Sequence, residues 1–478
     1  DSQWDSQPGQ GGSGGSGGNR SQPSPIEDNY LICYNAVDWF GGSVQNSSTA
    51  GYRSNAADAQ ITLTVPTSYD LGLTDLNKYV LRWNIGKDGR GQTLSPDDEF
   101  TVGKGTTNVY AEWKQYKDIF PEGSGTQSSP FIIEHGELLS LADYVNACGN
   151  TRGLYFRQKS DILLDNILSD AKRDGQWVPI GYDRVFEGDY DGGGHMIRKG
   201  EIASVANDKQ LSVMGVFGLV LGSIHNLCVE DLKASATSSA RCGSIAGVLL
   251  SEYDPFTNEL LRAASISNCY AANNNINANY AGGLVGEMQA NTIMSHCHGS
   301  GNSLGTNNWG GMASIIDSNA KLDVCFTAGK YSSNGYSGAT NSAIVDENKM
   351  KSGELTWLLN DRSASSEVIW HQTLGSDAAA NAYPVLDKNS SRVYSDGEKY
   401  SNSPLGIYAF PGKGTQEDPY QIATAYDLRQ VALYCNDGNK STGLYFIQTA
   451  DIDLKDVNDY KPVGDSRVHA FDGNYDGG

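Results

Sequence analysis

The sequence contains no apolar run of about 18 residues, so no segment is long enough to cross a membrane as a helix. Basic residues are scarce: 35 Lys and Arg stand against 56 Asp and Glu, which gives a formal net charge of −21. This balance argues against nucleic acid and anionic membranes as partners, because both are bound by clustered Lys and Arg. Proline is also rare, with 14 residues, whereas 56 glycines predict a chain that turns often.

Signature motifs of two enzyme classes are absent as well. The chain has neither the H-E-x-x-H pattern of zinc peptidases nor the G-x-x-x-x-G-K-[ST] pattern of phosphate-binding loops. No calcium loop with dense acidic spacing occurs; the acidic turn at Asp451 and Asp453 is too sparse for one. We therefore predict no catalytic, cofactor-binding or metal-binding residues.

One long segment of the chain occurs twice. The segment 123–133 (GSGTQSSPFII) returns as 412–422 (GKGTQEDPYQI), and 186–192 (FEGDYDG) returns as 471–477 (FDGNYDG). An ordered set of matches of this length indicates a duplicated module, and tandem modules are typical of surface stalks and adhesins. Because the second copy stops within its motif, we expect the chain to be part of a longer protein. With 478 residues, it is expected to fold as three or more units.

The first unit follows a Gly- and Ser-rich start. Residues 1–27 have almost no apolar side chains and are predicted to be a disordered tether, either native or engineered. Residues 28–117 contain short β-branched and aromatic runs bounded by Gly, Asn, Asp or Pro, which predict strands. The pattern 81–84 (LRWN), 100–102 (FTV) and 110–113 (YAEW) resembles the internalin-type B-repeat, which implies a small β-grasp-like spacer domain. Trp83 and Trp113 are expected to pack in its core rather than to form a sugar-binding platform.

Residues 121–388 form the larger unit. A helical pattern over 137–145 is expected to cap a series of imperfect repeats with glycine at their corners, and such repeats predict a stacked parallel β-solenoid. The segments 177–181 (WVPIG), 186–197 (FEGDYDGGGHMI), 216–218 (VFG) and 283–286 (GLVG) resemble the GLUG-motif repeat family of bacterial surface proteins. This resemblance implies a β-helical fold, display at the cell surface and an adhesive role. It does not supply a ligand.

Three cysteines share one position of the repeats. Cys269, Cys297 and Cys325 occupy the place that Leu227 holds in the first repeat, and equivalent side chains of a parallel stack form a ladder. A ladder shared with leucine predicts an inward-facing apolar column of free thiols, because reduced cysteine behaves as a small hydrophobe. Disulfides along the ladder are the alternative; zinc is disfavoured because its ligands must converge on a point.

The end of this unit is predicted near a short helix at 352–360 and an apolar tail at 383–387, which would cover the last repeat. Residues 389–410 are predicted to be a linker, and residues 411–478 are predicted to begin the second, truncated module, with a second helix near 426–435. One insertion, at 254–261, interrupts the otherwise regular spacing of the repeats.

Two groups of residues suggest chemistry. Asp189, Asp191 and His195 lie close in sequence, followed by Arg198 and Lys199, and β-helical polysaccharide lyases and hydrolases use such clusters. The alternative is that Asp191 only caps a turn, since the second copy repeats the Asp-Gly pair.

The second group is His296 and His298, which flank Cys297. If Cys297 points inward, both histidines point outward, and an exposed pair without a role is favoured over a zinc site that lacks a third ligand.

The sequence as a whole predicts a mainly β, non-catalytic, extracellular protein that is tethered to the bacterial surface, with outer-membrane anchoring through its N-terminus. It is expected to bind an unidentified glycan or protein through the solenoid faces or the insertion at 254–261. A polysaccharide-active β-helix enzyme and a purely structural stalk remain the alternatives.

Overall fold

The computed structural model describes residues 3–5, 30–38, 49–54, 60–67, 71, 77–96, 98–148, 150–170, 175–204, 211–236, 239–305, 308–329, 339–377, 380–455, 457 and 460–478. Most of the predicted tether, 1–27, lies outside these residues. Its described part, Gln3–Asp5, is a strand that pairs antiparallel with a later strand at Thr49–Ser54.

In the residues that the structure describes, the first unit is a small β domain of eight strands. They are β1 (Gln3–Asp5), β2 (Tyr30–Asp38), β3 (Thr49–Ser54), β4 (Gln60–Thr64), β5 (Lys78–Asn84), β6 (Thr93–Leu94), β7 (Glu99–Gly103) and β8 (Gly105–Gln115). Six of them form a sheet in the order β1-β3-β2-β8-β5-β6, and β4 pairs with β7. Trp83 is fully buried in the core against Tyr34, and its indole N–H donates to the carbonyl of Pro66. Trp113 packs at the edge of this core, so the preference for packing over a sugar platform is confirmed for Trp83.

A short connection then leads into the first copy of the duplicated segment. Its elements are β9 (Phe131–Ile133), α1 (His135–Cys148), β10 (Tyr155–Gln158), β11 (Ile162–Leu163), α2 (Leu164–Asp170), β12 (Gln176–Trp177), β13 (Asp189–Asp191) and β14 (Met196–Ile202). Helix α1 confirms the helix predicted over 137–145, and its role as a cap of the repeats stays a prediction. Tyr144 of α1 packs edge-on against Tyr79 of β5, with ring centroids 4.7 Å apart, so the β domain and the helix share one apolar cluster.

The repeats that follow contribute nineteen strands to the described part of the chain. They are β15 (Val213–Met214), β16 (Phe217–Val220), β17 (Ser223–His225), β18 (Cys228–Ser235), β19 (Arg241–Gly243), β20 (Ala246–Leu249), β21 (Ser251–Tyr253), β22 (Leu260–Ala263), β23 (Ser265–Ser267), β24 (Tyr270–Ala272), β25 (Asn275–Asn277), β26 (Tyr280–Gly282), β27 (Val285–Met288), β28 (Ile293–Ser300), β29 (Ser303–Leu304), β30 (Asn308–Gly310), β31 (Ala313–Ile316), β32 (Lys321–Ala328) and β33 (Ala343–Val345).

The repeats build large parallel sheets. One four-stranded sheet has the order β15-β19-β26-β30, another has β16-β20-β27-β31, and a third, of fifteen strands, runs from β9 to β33. Apart from the antiparallel pair β21 and β22, all of the pairings among these strands are parallel. Each repeat therefore adds strands to the same sheets, in the same register as the repeat before it. The chain is mainly β with large parallel sheets, as predicted.

The interior of the repeats holds the predicted apolar column. Leu227, Cys269, Cys297 and Cys325 are all fully buried, and Cys297 and Cys325 are partners on neighbouring parallel strands. The cysteines carry free thiols, so the ladder is a packing feature rather than a chain of disulfides. Sequence periodicity was sufficient here, because an inward position in one repeat remains inward in the next.

This burial makes a direct prediction about thiol reactivity. In the native protein Cys269, Cys297 and Cys325 should not react with a thiol reagent such as Ellman's reagent, since no solvent reaches them and burial raises the pKa of Cys297 well above its ordinary value. In guanidinium all three should react without prior reduction. Peptide mapping after alkylation in both states checks this, and a ladder cysteine recovered as a disulfide would contradict it.

The chain then folds back over the outside of the large sheet. The predicted short helix is present as α4 (Glu354–Leu359), preceded by α3 (Glu347–Lys351). The following segment places Trp370 and Leu386 in an apolar cluster with Tyr270 and Phe326 of the sheet. The segment therefore packs on the last repeat, as predicted, and it also lies across the outer face of several earlier strands, which was not predicted. Its large apolar side chains find more area to bury on a sheet face than at an edge.

The remaining elements are β34 (Tyr394–Ser395), β35 (Tyr400–Ser401), β36 (Tyr420–Ile422), α5 (Ala425–Asn436), β37 (Tyr445–Gln448) and β38 (Asn474–Asp476). The predicted linker 389–410 contains the hairpin β34–β35 and a 3-10 helix at Gly406–Ala409, and Tyr408 packs against Trp357. Strands β36, β37 and β38 pair in parallel as β9, β10 and β13 do, and α5 corresponds to α1.

Candidate functional site

The insertion predicted at 254–261 is an ordered hairpin formed by β21 and β22. At its turn the Asp254 carboxylate accepts the backbone N–H groups of Phe256 and Thr257, both at 2.8 Å. These hydrogen bonds lower the pKa of Asp254. Asn258 adopts a left-handed conformation with φ of 57° and donates its N–H to the Asp254 carbonyl. The turn is therefore held in one conformation by its own polar groups.

Apolar side chains project from this hairpin into solvent. Phe256 is 95% exposed, and Leu261 and Leu260 are 54% and 46% exposed. Leaving a phenylalanine in water forfeits about 2 kcal/mol relative to burying it. The three side chains together give the hairpin an apolar surface that no described residue covers.

Two arginines and two glutamates form a ring of ion pairs at the base of the hairpin. Arg262 donates to Glu187 at 2.6 Å and to Glu252 at 2.8 Å. Arg152 donates to the same two carboxylates, at 3.1 and 3.2 Å. The closed ring ties β22 to Arg152 and Glu187 of the first copy of the duplicated segment, which holds the base of the hairpin in place.

A second candidate, the Asp–His cluster, lies on the outer face of the large sheet. The His225 Nε2 is 2.9 Å from the Asp189 carboxylate, and Asn226 donates to Asp191 at 2.9 Å. Arg157 lies on the other side of Asp191, at 3.5 Å. The hydrogen bond to Asp189 raises the pKa of His225, although partial burial opposes this. An imidazole and two carboxylates on one face have the groups required for proton transfer.

Sequence reasoning found only part of this cluster. It grouped Asp189 with Asp191, which the structure also brings together, but it added His195, whose nitrogen instead lies 3.6 Å from Asp161. Arg198 and Lys199 follow on β14, where Lys199 has a left-handed φ of 56°. His225 was missed, although the alternation over Ser223–His225 places it outward and in register with Asp191.

The repeated motif makes the same contacts in both copies, which indicates an architectural role. Asn146 bonds the carbonyl of Pro179 and the N–H of Gly181, and Asn436 bonds Pro462 and Gly464 in the same way. The Asp191 carboxylate accepts the N–H of the residue two positions later. These equivalent bonds hold the turns, so Asp191 contributes to the fold whatever else it does.

The two histidines beside Cys297 are not the exposed pair that the sequence predicted. His298 is fully buried, stacked on Tyr270 at 5.0 Å beneath Trp370, and its Nε2 contacts the Pro384 carbonyl at 2.7 Å. His296 adopts a left-handed φ of 51° at the corner and pairs with Asp361 at 3.0 Å. The prediction failed because the segment that covers His298 comes from more than 70 residues further along the chain.

Metal and membrane sites are not apparent in the part of the chain that the structure describes. Among these residues no group of three His, Cys, Asp or Glu side chains is placed to hold a metal ion. At the acidic turn the Asp453 carboxylate accepts the backbone N–H of Lys455 at 2.9 Å and pairs with the ammonium group of Lys455 at 3.1 Å. No helix within the described ranges is both long and apolar enough to span a bilayer.

Comparison with known proteins finds one distant structural similarity. No protein-family model matches the chain, and no curated protein matches it. Among solved structures, it is similar to one described as a "putative immunoglobulin A1 protease" from Bacteroides ovatus, with 16% identity and a TM-score of 0.36 over 56% of this chain and 95% of that one. A similarity at this level carries no argument about fold or function.

Proposed function

We propose that this chain is a non-catalytic, modular protein of the bacterial cell surface that binds an extracellular partner through the hairpin β21–β22. In this proposal the parallel sheets form a β-solenoid, the first domain is a B-repeat-like spacer, and the N-terminal segment connects the protein to its anchor. The resemblance to GLUG-motif proteins supports this arrangement, and so does the constant register of the repeats.

The observation that carries the proposal is the exposure of Phe256 on an ordered turn. Aromatic side chains that enter a pocket of a partner account for much of the binding energy of protein interfaces. Here the turn is preorganised, so binding would not require the loss of loop entropy. Asp254 and Glu259 lie on either side of Phe256 in the sequence, and the whole chain is acidic. The partner expected from these properties is a protein with an apolar pocket and a basic rim.

Replacing Phe256 by alanine should weaken binding about 30-fold or more, the loss expected of a central aromatic anchor. The measurement is surface plasmon resonance of the whole chain against immobilised collagen, fibronectin, laminin and mucin. Tyr426→Ala is the matched control, because Tyr426 is an aromatic residue that is 61% exposed in a different element, α5. The control variant should bind as the unmodified chain does.

Two results would contradict this proposal. One is binding of equal strength in Phe256→Ala and the unmodified chain, which would remove the hairpin from the interface. The other is the absence of binding to any of the four surfaces, which would favour the purely structural stalk. Both variants change exposed side chains, so a loss of binding is not expected to reflect unfolding.

The Asp–His cluster supports a second candidate function, a polysaccharide-active β-helix enzyme. Asp189 is not required for the repeated architecture, since the second copy has Asn474 at that position. Its hydrogen bond to His225 would suit a general acid or base. Against this candidate, Asp191 is engaged by Asn226 and by its own turn. The test is the appearance of new reducing ends.

A further inference from the structure

A cavity of about 420 Å³ lies on the outer face of the large sheet, where β14, β18, β25 and β29 run side by side. Its polar lining residues form two rows across the strands. In the first row Glu201, Lys233, Asn275 and Ser303 are successive partners in register, and in the second row Ser235 is the partner of Asn277. We call these six residues the polar groove; none of them belongs to the hairpin.

Three of the six side chains have polar groups that hold no other described part of the protein in place. Lys233, Asn275 and Asn277 make no side-chain hydrogen bond or ion pair with any other described residue, whereas Glu201 accepts one from Gln176 at 3.1 Å. Their neighbours in sequence behave differently. Asn274 is fully buried and bonds the backbone of Leu232 and Val229.

The buried asparagines have a role in the fold, whereas the exposed ones have amide groups that a ligand can bind. Asn274 and Asn302 form a buried amide ladder that turns the chain, which explains asparagine at those positions. Nothing of that kind explains Asn275 and Asn277, whose amides point outward into the cavity. They leave donors and acceptors free in a concave surface, as ligand sites do.

The chemistry of the polar groove selects a class of ligand. Lys233 and Glu201 are neighbours, so their charges cancel and neither an anion nor a cation is favoured. Amide and hydroxyl groups offer both donors and acceptors, which matches a ligand whose groups do the same. The backbone of β14, β18 and β25 is already paired on both sides, so an extended peptide could not add a strand at these three. Among the described strands at this cavity only β29, which pairs with β25 alone, leaves an edge for such a strand.

The structure assigns the polar groove as a binding site for a neutral oligosaccharide, held by hydrogen bonds from Asn275, Asn277 and Lys233 to sugar hydroxyls. This inference rests on the proposed role in extracellular binding, but it uses residues that the hairpin proposal does not.

The test is isothermal titration of the whole chain with cellohexaose, xylohexaose, mannohexaose and maltohexaose. The unmodified chain should bind at least one of them at millimolar concentration or tighter. Asn275→Ala combined with Asn277→Ala should weaken that binding about tenfold, because two hydrogen bonds are lost. The matched control is Ser267→Ala with Ser295→Ala, a pair of outward residues on neighbouring strands of the same sheet. It should bind normally.

Three results would overturn the assignment. They are no binding of any of the four neutral probes, unchanged binding in the Asn275/Asn277 double variant, and binding only of an acidic probe such as hexagalacturonate. The variant Phe256→Ala distinguishes the two proposals, because it should leave oligosaccharide binding unchanged. If no oligosaccharide binds the polar groove but a protein surface is bound in a Phe256-dependent way, the groove assignment is rejected and the hairpin proposal is kept. Melting temperatures of all variants establish that they fold.

Discussion

Replacing Gly282 by alanine should destabilise the repeats by about 3 kcal/mol, enough to lower the melting temperature markedly. Gly282 lies at a corner where two of the parallel sheets meet, in register with Gly243 and Gly310. A Cβ atom at Gly282 would overlap the carbonyl oxygen of Val285. Because the obstacle is backbone of the same corner, no side chain can move aside to relieve it.

A matched substitution makes this prediction specific. Gly136 lies in α1, where an added Cβ would meet no atom within 4 Å. Gly136→Ala should therefore stabilise the protein slightly, by about 0.5 kcal/mol, since alanine favours a helix more than glycine does. Thermal unfolding followed by circular dichroism compares the two variants. Equal melting temperatures would contradict the close packing of the corners.

The second large effect concerns pH. Burial lowers the pKa of His298 to about 4, from an ordinary value of 6.5. Between these values the unfolded chain binds a proton that the folded chain does not bind. The stabilisation from neutral His298 is therefore complete above pH 6.5 and is lost as the pH falls toward 4. Between pH 7 and pH 5 the loss from this one group is about 2 kcal/mol.

The variant His298→Gln should remove this part of the acid sensitivity, so its stability should fall less steeply between pH 7 and pH 5 than that of the unmodified chain. His225 provides a control of opposite sign. Its pKa is raised by Asp189, so it adds stability below its ordinary pKa, and His225→Gln should steepen the acid loss. Urea unfolding at the two pH values measures both. Parallel curves for His298→Gln and the unmodified chain would contradict the burial of a neutral His298.

Sequence patterns predicted those features that depend on neighbouring residues or on the repeat spacing. Helical spacing predicted α1 and α5, whose apolar residues recur along one face. The shared position of Leu227 and the three cysteines predicted a buried column, because parallel register copies an inward position from one repeat to the next. The insertion at 254–261 was located because it broke a regular spacing.

The remaining features depend on contacts that a local pattern does not contain. Trp370 covers His298 although the two are far apart in the chain. The sequence pattern around His298 therefore gives no sign that this residue is buried. Residues 389–410 are polar enough to suggest a linker, yet Asn402 bonds the Gln372 carbonyl and fixes them to the preceding unit. The polar groove was missed for the same reason: its rows are formed by residues from four separate strands.

The most direct test of the central claim, binding without chemical conversion, is one incubation with two readouts. The purified chain is mixed with a panel of neutral and acidic polysaccharides, and retention on each polymer and new reducing ends are measured together. We predict retention on a neutral polysaccharide with no new reducing ends. New reducing ends that disappear in Asp189→Asn and His225→Gln would contradict the claim and identify the Asp–His cluster as a catalytic site.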